Sequence, residues 1–270
     1  MRDLAGKVAV VTGGGSGIGE GLCRAFAEKG MRVVVSDIDL PSAERVAQEV
    51  GGVAVRTDVR SATDVQALAD LVFDRFGEVH VLCNNAGVAP VEPLTQLEKT
   101  DWEWGLAVNL DGIVHGLLAF LPRMKAQPSD GHVVNTASIA GVTTMSRHAV
   151  YCATKHATVA LSDSVRSEGK PYGVSASALC PAVVKSGILD SARNRPEELA
   201  RGKRHNPLHR LVHALASKVI MARAIEAIDV GRYVVEGIRE DRPYLFTHRQ
   251  ESMQSLMDKR LRPVEKVLLA

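Results

Sequence analysis

Aromatic residues and net charge are both scarce in this sequence of 270 residues. Aromatic side chains make up only 4% of it, although hydrophobic residues account for 46%, so aliphatic packing must supply the core. Lys and Arg number 33 against 31 Asp and Glu, a formal net charge of +2. That balance lacks the basic excess of nucleic-acid-binding domains, so we expect neither nucleic acid nor a membrane surface as a partner.

Cysteine is also rare, and its spacing excludes the common cysteine-based sites. The four residues, Cys23, Cys83, Cys152 and Cys180, form no C-x-x-C pair and no metal-ligand pattern. Three of them stand among apolar residues, which predicts buried thiols in a reducing compartment and no bound metal.

Long hydrophobic runs are missing as well. No apolar run approaches the ~20 residues that span a bilayer. The first seven residues lead directly into a strand-like segment, without the charged region and apolar stretch of a signal peptide. These features predict a soluble, cytoplasmic protein.

Short apolar runs alternate with longer helical patterns along the chain. Strands are predicted at Lys7–Thr12, Arg32–Ser36, Val53–Arg56, Val79–Cys83, His132–Ala137, Val174–Cys180 and Pro243–Thr247. Helices are predicted at Ile18–Lys29, at Ala62–Phe76 and from about Asp229, with Gly30 and Gly77 closing the first two. This order predicts an α/β fold with a doubly wound parallel sheet of Rossmann type, in one domain over residues 1–270.

One segment, residues 184–228, interrupts this alternation. It contains several arginines and the helically spaced residues Leu208, Leu211, Val212 and Leu215. We expect a helical insert that covers a bulky, apolar substrate, with its arginines facing water. Two alternatives stay open: the insert only packs on the domain or on another subunit, or its arginines bind an anionic substrate such as a carboxylate or acyl-CoA.

A glycine-rich loop follows the first strand, from Thr12 to Gly19. Its five glycines allow the backbone to turn tightly and approach a phosphate, and the following helix offers free N–H groups. Asp37 ends the second strand, where a carboxylate binds ribose hydroxyls and repels a 2′-phosphate. No Arg or Lys lies in the loop or directly after Asp37, so the sequence predicts NAD in preference to NADP.

Tyr151 and Lys155 stand four residues apart and therefore share one face of a predicted helix. A free tyrosine has a pKa near 10, and lowering that pKa to about 7 requires about 4 kcal/mol of phenolate stabilisation. A lysine ammonium group and the positive nicotinamide of NAD⁺ can supply it. Ser138 follows the fifth strand, so its hydroxyl is expected at the carboxyl edge of the sheet, where it either polarises a carbonyl or caps a turn.

Together these motifs resemble the short-chain dehydrogenase/reductase family over essentially the full chain. They are Thr12–Gly19, Asp58-Val59, Asn84-Asn-Ala-Gly87, Asn109, Ser138 and Tyr151-Cys-Ala-Thr-Lys155. The resemblance implies four catalytic residues: Tyr151 as general acid/base, Lys155 on the nicotinamide ribose, Ser138 on the substrate oxygen and Asn109 on a relay water. The expected cofactor-binding residues are Gly13, Gly15, Ser16, Gly17, Ile18, Gly19, Asp37, Asp58, Val59, Asn85, Ala86, Gly87, Tyr151, Lys155, Pro181, Val184 and Ser186.

The sequence departs from the family pattern after the sixth strand. The usual Pro-Gly is Pro181-Ala182, and the usual later Thr is Ser186. We expect an altered loop and a retained cofactor. The resemblance also implies a homodimer or homotetramer formed through the Tyr151 helix and the preceding one, around Trp102–Met124.

The function predicted on these grounds is NAD(H)-dependent interconversion of a secondary alcohol and a ketone, both small molecules. A non-catalytic NAD-binding sensor on the same fold is the main alternative, because a fold alone does not determine a function. A proton-transfer tyrosine favours the enzyme, since a binding module has no need of one.

Overall fold

A computed structural model of the chain describes residues 1, 3–202, 224–248, 258, 262 and 267. Its strands are β1 (Val8–Thr12), β2 (Arg32–Asp37), β3 (Val53–Arg56), β4 (Val81–Asn84), β5 (Gly131–Thr136), β6 (Val174–Cys180) and β7 (Tyr244–Phe246). Its helices are α1 (Gly17–Glu28), α2 (Leu40–Val50), α3 (Ala62–Phe76), α4 (Lys99–Leu106), α5 (Gly112–Ala126), α6 (Ala149–Gly169) and α7 (Ala227–Arg239).

The seven strands form one parallel sheet in the order β3-β2-β1-β4-β5-β6-β7. Val10 of β1 is paired with Val34 of β2 on one side and with Leu82 of β4 on the other. The chain therefore reverses direction across the sheet at β1, and ligands of such sheets bind at the carboxyl ends of the strands at this point. The structure confirms the predicted Rossmann-type fold.

Helices cover both faces of the sheet, which explains why the inner strands are almost wholly apolar. Alternate residues of β1 belong to different cores: Ala9 and Val11 pack with α1, α2 and α7, whereas Val8 and Val10 pack with α3 and α5. All four cysteines are free and buried, as predicted.

One helical stretch, Lys99–Ala126, is long and apolar enough to cross a membrane by length and composition alone. Half of its most apolar window is buried inside the protein, where Trp104, Phe120 and Met124 are part of the interior. Core helices of soluble proteins pass the same test, so the stretch is weak evidence for a membrane span.

The predicted insert is described only in part. Its beginning, up to residue 202, contains two short 3₁₀ helices, Ile188–Asn194 and Glu197–Leu199. Its end returns to its beginning, where Ile225 forms an isolated parallel β-bridge with Val184. The predicted lid helix around Leu208–Leu215 lies outside the described residues.

Two glycines allow α1 and α7 to pack against each other at backbone distance. A Cβ at Gly231 would overlap the carbonyl oxygen of Gly21, and a Cβ at Gly21 would overlap the carbonyl oxygen of Ala227. A side-chain rotation cannot relieve these overlaps, because the obstructing atoms belong to the backbone.

We expect Gly231→Ala to lower the free energy of unfolding by about 1–3 kcal/mol, since the added methyl forces the helices apart. Urea denaturation measures the change. Gly202→Ala is the control, because the nearest atom to its Cβ is a Glu98 carboxylate oxygen at 3.9 Å. Equal stability of the two variants would contradict the close packing of α1 on α7.

Candidate active site

A cavity of about 500 Å³ opens at the carboxyl edge of the sheet, beside β1. The glycine loop and the loops after β2 and β3 line it, and so do Ser138, Tyr151 and Lys155. The beginning of the insert forms a further wall. Residues that are distant in the sequence thus surround one space.

The glycine loop has the form that a diphosphate requires. Gly17 begins α1 with φ +53°, and a Cβ there would lie 2.8 Å from the Cβ of Ser186. Ser16 precedes the helix without capping it through its side chain. The first N–H groups of α1 therefore face a cradle without side chains, next to Ile18. Gly13 and Gly19 form the turn behind it, where a Cβ at Gly13 would lie 2.8 Å from Ala86 Cα.

Asp37 lies at the end of β2 and lines the cavity. Its Oδ2 accepts a hydrogen bond from the Gly15 N–H at 2.9 Å, and its Oδ1 accepts one from the Asp39 N–H at 3.1 Å. These bonds fix a carboxylate at the position that meets ribose hydroxyls in this fold. These residues and the glycine cradle fit an adenine dinucleotide without a 2′-phosphate.

Arg45 is a nearby cation that the sequence analysis missed. It comes from α2, and its Nη2 donates to the Gly15 carbonyl at 3.0 Å. Its guanidinium also pairs with Glu20 and Glu49, so its charge is already compensated. The neighbourhood of Asp37 therefore lacks an uncompensated cation among the described side chains, as the preference for NAD requires.

Asp58 and Val59 follow β3 and also line the cavity. Val59 is buried against Gly112, and its carbonyl contacts His115 Nδ1 at 2.9 Å. Arg60, which the sequence analysis did not name, clasps both carboxylate oxygens of Asp58, with Nη2 2.7 Å from Oδ2. The Asp58 side chain is thus held by its neighbour.

The loop after β4 is tied to the glycine loop. Thr12 Oγ1 accepts hydrogen bonds from the N–H groups of Asn85 and Ala86 at 3.0 and 3.2 Å, and Asn85 Nδ2 donates to the Thr12 carbonyl at 3.0 Å. The side chain of Asn85 thus serves the fold, while Asn85, Ala86 and Gly87 line the cavity. Thr12 is a further residue that sequence reasoning did not single out.

Ser138 caps a turn, which is one of the two roles considered for it from the sequence, and it also reaches the cavity. It precedes a 3₁₀ turn, Ile139–Gly141, and its Oγ accepts a hydrogen bond from the Ala140 N–H at 3.1 Å. It also lines the cavity and hydrogen-bonds to Tyr151. Burial raises the pKa of Tyr151 above its ordinary value, and the bond with Ser138 offsets part of that rise. The protein alone therefore favours the protonated form of Tyr151. The lowering expected from the sequence involves the nicotinamide of NAD⁺ as well as Lys155.

Lys155 is buried, one helical turn after Tyr151 on α6. Its Nζ donates a hydrogen bond of 2.6 Å to the Thr136 carbonyl and lies 5.6 Å from the centre of the Tyr151 ring. Burial lowers the pKa of Lys155 to about 8. The ammonium form still prevails at pH 7, so a positive charge stands beside the phenol.

Asn109 lies in a π-helical turn, Ala107–Asp111, which joins α4 to α5. Its Oδ1 accepts from the Val88 N–H at 2.8 Å, and its Nδ2 donates to the Val88 carbonyl and to Thr154 Oγ1 at 2.9 and 3.2 Å. A Cβ at Gly87 would lie 3.4 Å from Asn109 Oδ1 and 3.5 Å from Lys155 Nζ. The Asn109 side chain therefore connects the loop after β4 to α6, and both its oxygen and its nitrogen take part in these hydrogen bonds.

The segment after β6 forms another part of the cavity wall. Pro181, Val184 and Ser186 all line it, and the Pro181 carbonyl accepts a hydrogen bond from the Ile139 N–H at 3.0 Å. The structure thus places every predicted site residue at the cavity except Gly15, Gly19 and Asn109, which support its walls.

The beginning of the insert is fastened to the domain through its polar side chains. Ser191 Oγ accepts a hydrogen bond from the Ala89 N–H at 3.1 Å. Arg195 pairs with Asp101 at 2.6 Å, and both side chains are largely withdrawn from water, with 11% and 1% exposed. Arg201 pairs with Glu92 at 2.7 Å. The expectation that the insert's arginines face water is therefore wrong for Arg195 and Arg201, because carboxylates of the loop after β4 and of α4 hold them.

The profile of the short chain dehydrogenase family matches residues 7–197. A D-threitol dehydrogenase of Mycolicibacterium smegmatis is 37% identical over 198 residues, which cover 72% of this chain and 76% of that enzyme. A C alpha-dehydrogenase of a Sphingobium species is 32% identical over 202 residues, covering 73% of this chain and 66% of that enzyme.

A crystal structure of a short chain dehydrogenase/reductase from Burkholderia phymatum, in complex with NAD, superimposes with a TM-score of 0.92. It is 35% identical, and the match covers 98% of this chain and 96% of that one. The chain belongs to the short-chain dehydrogenase/reductase family, and it is an oxidoreductase of that family.

The ion pair between Asp101 and Arg195 yields a stability prediction. Asp101→Asn leaves a largely buried guanidinium without its charged partner, which should lower the free energy of unfolding by about 3 kcal/mol. Trypsin should also cleave after Arg193 faster than in the wild type. Asp70→Asn is the control, because its pair with Arg123 is solvent-exposed and contributes less than about 1 kcal/mol. Unchanged proteolysis would contradict the docking of the insert.

Proposed function

We propose that this protein is an NAD(H)-dependent oxidoreductase that interconverts a secondary alcohol and a ketone, with Tyr151 as the general acid/base. The observation that carries the proposal is that Ser138, Tyr151 and Lys155 line the same cavity as the glycine loop. A dinucleotide bound at the glycine loop would therefore share this cavity with a phenol.

The cofactor assignment rests on the cradle at Gly17 and on the fixed carboxylate of Asp37. NAD, when bound, accepts or supplies the hydride. The N–H groups at the start of α1 would hold its diphosphate, and Asp37 would hold the adenosine ribose. The NAD complex of the Burkholderia phymatum relative supports this cofactor.

Ser138 and Tyr151 would hold the substrate oxygen between two hydroxyl groups. In the reducing direction the Tyr151 hydroxyl donates its proton to the carbonyl oxygen as the carbon receives the hydride. In the oxidising direction the same oxygen takes the hydroxyl proton of the alcohol. Ser138 Oγ would orient the substrate oxygen in both directions.

Lys155 has two tasks in this proposal. Its ammonium group has three N–H donors, and Thr136 takes one of them. The other two can hold the nicotinamide ribose hydroxyls, while the charge stabilises a phenolate at Tyr151. Asn109 would act as a positioning residue, because its side chain holds Val88 and Thr154.

The substrate end of the cavity favours a bulky, largely apolar alcohol. Trp104, Ile139, Met145 and Ile188 line it, together with His148. The ion pairs of Arg195 and Arg201 count against their use as an anion clamp, because both charges are compensated. We propose that the insert, over about 184–228, serves as the substrate lid of a single domain that spans residues 1–270.

A non-catalytic NAD sensor remains the alternative from another class. The hydrogen bond between Ser138 and Tyr151 favours the enzyme, because binding of a dinucleotide needs no such pair. The measurement that separates them is NADH formation from NAD⁺ across a panel of small, bulky neutral and bulky anionic secondary alcohols. A sensor binds NADH and oxidises none of them.

Replacement of Tyr151 by Phe should lower kcat by at least about 100-fold while NADH binding stays within about twofold, because only the hydroxyl transfers a proton. Steady-state kinetics and calorimetric titration with NADH measure the two effects. Tyr172→Phe is the matched control, since Tyr172 is exposed and absent from the cavity wall. Turnover of Tyr151→Phe within tenfold of the wild type would remove Tyr151 from the mechanism.

Replacement of Asp37 by Ser should raise the ratio of kcat/KM for NADP⁺ to that for NAD⁺ by about 10- to 100-fold. The reason is the loss of one desolvated charge that repels a 2′-phosphate, and each tenfold corresponds to about 1.4 kcal/mol. Asp74→Ser is the control, because its carboxylate is exposed on α3. A wild-type enzyme that uses both cofactors equally would contradict the role of Asp37.

A further inference from the structure

One arginine that lines the cavity, Arg193, forms no ion pair with a carboxylate of the described residues. Arg193 lies in the 3₁₀ helix Ile188–Asn194 and lines the cavity. Its Nη1 donates to the backbone carbonyls of Gly187 and Asp190 at 2.8 and 2.9 Å. Among the residues that the structure describes, no acidic side chain forms an ion pair with it, in contrast to Arg45, Arg60, Arg195 and Arg201.

The two carbonyls orient the Arg193 guanidinium and leave most of its donors available. A guanidinium has five N–H groups, and the bonds from Nη1 use two of them. The guanidinium lies directly over Gly187, where a Cβ would be 2.9 Å from both Nη1 and Nη2. The absence of a side chain at Gly187 thus allows the group to approach the backbone, and the two bonds leave the Nε–H and the two Nη2–H groups unused.

The position of Gly187 determines which ligand the Arg193 guanidinium can reach. Gly187 follows Ser186, whose Cβ contacts the Cβ position of Gly17 at the start of α1. That contact brings the Arg193 segment to the cradle that the proposed function assigns to the diphosphate. Ser191 holds the same short helix against the loop after β4 through the Ala89 N–H. Arg193 therefore belongs to the fastened part of the insert.

The glycine loop supplies no cation to a diphosphate. It offers backbone N–H groups and the Ser16 hydroxyl, and the nearby Arg45 and Arg60 already pair with carboxylates. A guanidinium binds phosphate oxygens through two parallel hydrogen bonds, and such charge-assisted bonds are about twice as strong as neutral ones.

From this arrangement we infer that Arg193 binds the diphosphate of the dinucleotide, so that the insert contributes directly to cofactor affinity. The inference rests on the proposed function, since it places a dinucleotide in the cavity. The insert then has two roles. It covers the substrate, and the charge of Arg193 binds the cofactor.

The test measures binding of NADH, ADP-ribose and adenosine by calorimetry to the wild type, Arg193→Gln and Arg193→Lys. Arg193→Gln should weaken NADH and ADP-ribose by at least about tenfold and leave adenosine unchanged, because adenosine has no phosphate. Arg193→Lys should recover part of the loss, since it keeps the charge without the paired donors. Added salt should weaken NADH binding less in Arg193→Gln than in the wild type.

Lys185→Gln is the matched control. It removes a positive charge from the same segment, but Lys185 is paired with Glu226, so NADH binding should stay within about twofold. NADH affinity of Arg193→Gln within twofold of the wild type would overturn the inference. The same holds if only the KM of a carboxylate-bearing alcohol rises, which would assign Arg193 to the substrate. A wild type that does not bind NADH would instead overturn the proposed function.

Discussion

The buried ammonium group of Lys155 is the constraint on which the proposed site depends. A charge withdrawn from water is costly unless polar groups compensate it, and the Thr136 carbonyl at 2.6 Å provides the compensation seen here. Thr136 is the last residue of β5, so the end of a strand sets the position of the ammonium group. Because α6 carries both Lys155 and Tyr151, the same contact sets the position of the phenol.

The supporting polar network extends from this point through the loops at the carboxyl edge. Asn109 joins the β4 loop to Thr154 on α6, and Thr12 joins the glycine loop to Asn85. Asn85 Oδ1 in turn accepts a hydrogen bond from Thr136 Oγ1 at 3.1 Å. The glycine loop is therefore linked to Lys155 through Thr12, Asn85 and Thr136, whose polar groups hydrogen-bond to one another.

Sequence reasoning predicted the fold well because local signals dominate it. Apolar runs mark all seven strands to within two residues, and Gly77 ends α3 with φ +81°, as its glycine suggested. The helix α2 was not singled out, because Pro41 and a mixed polar composition weaken its pattern. Motifs whose residues are close in the sequence, such as the glycine loop and Tyr151 to Lys155, could also be recognised from the sequence alone.

The residues that the sequence did not reveal are those joined by distant pairing. Asp101 on α4 and Arg195 in the insert are 94 residues apart in the sequence. No local motif at either position indicates the ion pair. Arg45 reaches the glycine loop from α2 in the same way. The raised pKa of Tyr151 is also a property of the folded chain, since burial causes it and the hydrogen bond with Ser138 offsets part of it.

In the proposed mechanism Tyr151 is the proton-transfer group, and the charge beside it controls its ionisation. The most direct measurement is NMR titration of protein labelled with ¹³C at the tyrosine Cζ, with and without NAD⁺. The chain has only four tyrosines, and Tyr151→Phe identifies the signal. We expect the pKa of Tyr151 in the free protein to lie above the ordinary value. We expect it to be lower when NAD⁺ brings its positive nicotinamide beside the phenol. A Tyr151 signal whose titration is the same with and without saturating NAD⁺ would contradict this mechanism.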